Sequence, residues 1–160
     1  MKLVHIDDFY HVAAEALHTL YGVFPVRHLL LVEDISGPIR YDLTGMPDRK
    51  STACFEGLVW LADHDLINYR TVEPRDIGVE GAVLTQRAFV LLNGAIRWED
   101  GETMSRIEGI REARRLRAYD DLGTIVQDLL TANCHWGAPV VMQPLRRGPR
   151  LSVVVDEDFG

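Results

Sequence analysis

Apolar residues in "DDFYHVAAEALHTLYG" recur at three- and four-residue spacing, so Phe9, Val12, Ala13, Ala16, Leu17 and Leu20 line one side of a helix. Asp7 or Asp8 would cap its start, and Gly22 would end it in a left-handed conformation. Residues 25–49 are less periodic. The run Leu29–Val32 is too short to separate helix from buried strand, Pro25 favours a short helix, and "SGP", "IRYDL" and "TGMPD" make a long connector. Helical spacing returns in "STACFEGLVWLADHDLINYR". Phe55, Leu58, Val59, Ala62 and Leu66 share the inward face, while Ala53, Gly57, Trp60 and His64 lie opposite, flanked by Glu56 and Asp63.

Two extended segments follow, about 66–72 and 79–84, around a loop carrying Pro74, Gly78 and Gly81, and they predict a hairpin. Thr85 suits the N-cap of a helix that packs Ala88, Phe89, Leu91 and Leu92 inward and ends near Asn93-Gly94. The stretch 102–137 reads as two consecutive helices with a break near Tyr119–Asp121. The second begins at a cap supplied by Asp120 or Asp121 and has an apolar stripe of Leu122, Ile125, Val126, Leu129 and Leu130. Such a stripe serves either as a homodimer seam or as a face folded onto the same chain. The last residues hold apolar runs at about Val140–Leu145 and Leu151–Val155, separated by an arginine- and glycine-bearing turn, which suits a hairpin or an extended arm.

The segments "FEGLVWLADHDLINYR" and "AVLTQRAFVLLNG", with the loop between them, resemble bacterial winged-helix domains, in which an apolar recognition helix precedes the wing and a further helix closes the unit. The resemblance covers roughly residues 7–94. It implies an α+β, mostly helical fold: a winged-helix domain with a two-stranded wing, then one or two carboxyl-terminal helices over 95–136 and a short β-hairpin or extended tail over 137–160. Two positions depart from the pattern. Asp65 and Ala88 stand where such domains commonly carry glycine, and the long connector replaces the tight turn that fixes helix-pair geometry for groove docking.

The usual employment of this fold is DNA-binding transcriptional regulation. Phosphate contacts would then come from Arg49 and Lys50 at the helix start and from Arg70, Arg75 and Arg87 around the wing. Charge pulls the other way. The net charge is −7, and residues 1–100 carry 9 Lys+Arg against 15 Asp+Glu, so the half expected to read DNA is the acidic half. A protein-interaction module on the same scaffold is the alternative, with Trp60, His64, Leu122, Ile125 and Leu129 as its candidate partner-binding residues. The basic cluster Arg106, Arg111, Arg114, Arg115 and Arg117 alternates with Glu108 and Glu112 at spacings that suit a self-paired helix face.

At 47% hydrophobic and 26% charged, the composition is that of an ordinary globular chain that needs no metal or disulfide to fold. Cys54 and Cys134 lie in apolar patterns far apart in sequence, which predicts buried thiols. The start "MKLVHIDDFYHV" lacks the apolar core of a secretion signal, and no run of about 18 apolar residues exists, so a cytoplasmic protein without membrane association is expected. His11, Glu15 and His18 fall within about 60° on the first helix, but an open polar face lacks the supporting groups that orient metal ligands. Asp7–Asp8 and Asp120–Asp121 are adjacent pairs better suited to capping than to shared acid–base work. No phosphate-binding glycine loop or nucleophile motif is present. A non-catalytic chain with no cofactor is expected.

Overall fold

The computed structural model describes residues 4–139 and 142–148. Its described part is α+β and mostly helical. Six α-helices, α1 (Val4–Val23), α2 (Val32–Ser36), α3 (Arg49–Asp63), α4 (Gln86–Asn93), α5 (Arg106–Leu116) and α6 (Tyr119–Cys134), are joined by short antiparallel strands. Strands β1 (His28–Leu31), β2 (Ile67–Asn68), β3 (Thr71–Val72) and β4 (Gly78–Leu84) form one sheet, with β1 on one side of β4 and both β2 and β3 on the other. Strands β5 (Ala95–Arg97) and β6 (Thr103–Ser105) form a separate hairpin.

Helix α1 is the central element. Val12, Ala13, Ala14, Ala16, Leu17 and Leu20 are all buried, because α3 packs on one of its sides and α6 on another. Small alanines let both neighbours approach closely. The helix starts at Val4, so Asp7 lies in its first turn rather than at a cap, and it continues past Gly22 to Val23. The ambiguous run at Leu29–Val32 divides between β1 and α2. Leu30 opposite Val79 and His28 opposite Ala82 fix β1 against β4. Gly78 permits this approach: a Cβ there would stand 2.3 Å from the Leu30 carbonyl oxygen.

The expected hairpin forms in two pieces. Ile67 and Asn68 pair with Leu84 and Val83, and Thr71 and Val72 pair with Glu80 and Val79. Asp65 has φ 62°, a left-handed conformation that glycine adopts most readily, and it turns the chain from α3 into β2. Thr85 caps α4 as expected, its hydroxyl accepting from the Ala88 amide at 3.0 Å.

Three boundaries differ from the sequence reading. Residues 95–105 form β5 and β6 instead of continuing a helical region. The break between α5 and α6 falls at Arg117, where φ is 52°. Asp120 and Asp121 occupy the first turn of α6, whose capping residue is Ala118. One hydrophobic core runs without interruption from Val12 to Leu129, so residues 95–136 pack into the same core as 7–94. Of the tail, residues 140–141 and 149–160 lie outside the described residues, taking with them the start of the apolar run 140–145 and all of the run 151–155. Leu145 makes a parallel bridge to Trp98.

Candidate interaction surface

The connector ahead of α3 is more ordered than its composition suggests. Tyr41 and Pro47 form an antiparallel bridge. The Asp42 carboxylate accepts from the Thr44 hydroxyl at 2.6 Å and from the Thr44 and Met46 amides at 2.9 and 3.0 Å. These hydrogen bonds, that of the Thr44 hydroxyl foremost, hold the Asp42 carboxyl below its ordinary pKa. The loop therefore presents Tyr41, Leu43 and Met46 to solvent on a fixed backbone, with Leu43 fully exposed. The signal in the sequence was "DLTG", an aspartate able to close a turn onto its own following amides.

Asp48 caps α3, accepting from the Ser51 amide, and its carboxyl is likewise held low, chiefly by hydrogen bonding from Ser51. Arg49 and Lys50 are exposed in the first turn. The inward face of α3 is Ser51, Cys54, Phe55, Gly57, Leu58 and Leu61, rotated by roughly 80° from the predicted face at about 100° per residue. Val59 and Ala62 are only half-buried. Gly57, expected on the outer side, faces α1, where a Cβ would meet Val12 Cγ1 at 3.2 Å.

This rotation changes the status of Trp60 and His64. Trp60 is half-buried, its ring edge-on to Phe9 of α1 at 5.1 Å and stacked on His64 at 3.7 Å. His64 itself is exposed, with Nδ1 2.9 Å from the Trp60 carbonyl oxygen. The solvent side of α3 is Thr52, Ala53, Glu56 and Asp63. The helix body therefore presents carboxylates to anything that docks along it.

The five candidate phosphate-binding cations divide. Arg49, Lys50, Arg70 and Arg75 are exposed and make no ion pair among the described residues. Glu73, Asp76 and Glu80 lie on the same hairpin as Arg70 and Arg75. Arg87 is occupied within the fold: it donates to the Asn133 carbonyl, lies 5.1 Å from the Trp136 ring centroid and is 3.9 Å from Asp65. Removing it from the surface set leaves four cations.

Leu122, Ile125 and Leu129 are buried at 2%, 0% and 0% exposure inside the single chain. They are core residues, which overturns their assignment to a partner-binding seam. The polar arc of α1 is also enclosed in part. Glu15 takes a two-pronged ion pair from Arg114, at 2.7 and 3.0 Å, and the His11 ring lies edge-on to Tyr119 at 6.3 Å. Arg106 pairs with Asp128 at 2.9 Å, so these two arginines find partners on other helices rather than within α5. No group of three or more His, Cys, Asp or Glu among the described residues is arranged to hold a metal ion. Cys54 is buried, and burial pushes its thiol up to about 11; Cys134 is exposed, contrary to expectation. Among the described residues no helix is long and apolar enough to cross a membrane. Comparison with known proteins gives no match to a family model, a curated protein or a solved structure.

Proposed function

We propose that this chain is a non-catalytic protein-interaction module on a winged-helix scaffold, docking a partner through the connector loop and the outer side of α3. The order α1–β1–α2–α3–β2/β3–β4, with β4 between β1 and the hairpin strands, supports the scaffold reading. The observation that carries the function is the exposed set Tyr41, Leu43 and Met46 on a hydrogen-bonded loop. Fixed apolar groups lose little conformational freedom on binding, so they suit an anchor role. Glu56 and Asp63, exposed farther along α3, suit a partner that follows the helix with cationic groups.

DNA binding in transcriptional regulation is the second reading, favoured by the exposed Arg49, Lys50, Arg70 and Arg75. One pair of assays separates the two. Leu43→Asp with Met46→Asp touches only exposed positions, so melting should be unchanged while co-purification of a partner is lost. Partner capture indifferent to that change would defeat the docking surface. Titration of duplex DNA at two salt concentrations tests the second reading. Each lost cation contact should then flatten the log–log salt slope by roughly one unit.

A further inference from the structure

We propose that the cleft between the β5–β6 hairpin and the start of α6 is a recognition site for an extended Leu-X-Arg segment, occupied here by the chain's own residues 144–148 as a releasable internal ligand. The backbone comes first. The Leu145 amide donates to the Arg97 carbonyl at 2.7 Å, and the Leu145 carbonyl accepts from the Glu99 amide at 2.9 Å. These two bonds make a single parallel bridge to Trp98, just past the end of β5, the way an added strand begins to pair.

Side chains supply the selectivity. Alternate residues of an extended segment share a face, which sends Leu145 and Arg147 into the cleft and Arg146 outward. Leu145 is half-buried against the core, while the Arg146 side chain is 88% exposed. The Arg147 guanidinium lies 4.4 Å from the Trp98 ring centroid, donates to Asp100 at 2.9 Å and also pairs with Glu102. A cation held between an aromatic face and two carboxylates is a site built for arginine. The Gly148 amide then donates to the Asp121 carboxylate at 2.8 Å.

Two features mark the occupant as releasable. Residues 142–144 and 146 are exposed, so Leu145 and Arg147 supply the side chains that enter the cleft, with the Gly148 amide beyond them. Asp100 and Glu102 are about half exposed, which lets salt weaken their hold. The internal fit is also incomplete: Trp98 is 1% exposed, yet its indole N–H has no hydrogen-bond partner among the described residues. A segment that reached this donor would compete with the internal one. Local opening here breaks few apolar contacts, unlike opening of the core.

The test uses the full chain and a labelled synthetic peptide, MQPLRRG, matching residues 142–148. Arg147→Glu sets the internal segment against Asp100 and Glu102 while leaving the cleft intact. The peptide should bind this variant about tenfold or more tighter than wild type, whose cleft is mostly filled. A peptide with glutamate in place of its second arginine should not bind. Equal binding to wild type and variant, or equal binding of both peptides, overturns the site. A second variant, Asp100→Asn with Glu102→Gln, covers the case in which Arg147→Glu does not fold. It should speed tryptic cleavage after Arg147 with melting unchanged; cleavage that rises only in step with global unfolding overturns release.

Discussion

Arg106 ties the start of α5 to both α6 and the end of α4. Its side chain is largely buried, with Nε donating to Asp128 of α6 and Nη1 donating to the Leu91 carbonyl at the end of α4 at 2.7 Å. The pair satisfies an orphan carbonyl of a helix end as well as a charge, which offsets the cost of desolvating the guanidinium. Arg106→Ala should therefore destabilise by about 3 kcal/mol, because Asp128 and the carbonyl lose their donor together. Urea unfolding monitored by circular dichroism measures this, and a loss below about 1 kcal/mol, as for a surface pair, would contradict it. Gly94 fits the same account: a Cβ there would lie 2.6 Å from Arg106 Nη1.

Among the elements, those with a long apolar period were legible in the sequence, and those set by tertiary contact were not. The cores of α1 and α6, the hairpin ahead of Thr85 and the Thr85 cap follow from spacing and from a short hydroxyl side chain beside free amides. The strand β1 did not, because four residues carry no decisive period and its partner lies about fifty residues away in β4. The face of α3 was misplaced for a related reason. α3 packs against both α1 and α2, which leaves Cys54 and Leu61 buried, and Gly57, having no side chain to score as apolar, faces Val12 of α1. Candidate surface residues suffered most, since whether Arg87 or Trp60 is free depends on Trp136 and Phe9, which are remote in sequence. The stripe of α6 was visible, and its use was not. Gly109 of α5 shows what covers it: a Cβ there would stand 2.9 Å from Ile125 Cδ1. Ile125→Glu with Leu129→Glu should unfold the chain outright, since two buried, unpaired carboxylates cost several kcal/mol, a large part of a domain's stability. A folded double variant of reduced mass by light scattering would restore the dimer seam.

For the molecule as a whole, charge and burial meet at the junction of α1 with α5, and the consequence is a pH dependence. Burial lowers the His18 pKa from its ordinary value, Arg114 and Arg111 push the same way, and Glu15 opposes them. The unfolded chain therefore takes up a proton at His18 before the folded one does. Above about pH 6.5 the imidazole is neutral in both states and contributes nothing to the difference. As pH falls through that value, protonation favours the unfolded chain, and the loss of stability grows until the lower folded-state pKa is passed. The Asp42 and Asp48 carboxyls are lowered in the fold, so their support is present above the ordinary carboxylate range and is lost only in more acid solution. The histidine window opens at higher pH than the carboxylate one. Melting temperature should fall between pH 7.5 and pH 5.5, and His18→Gln should flatten that fall while leaving the acid limb in place. An unchanged slope in the His18→Gln protein would show that the pH response of this interface comes from another group.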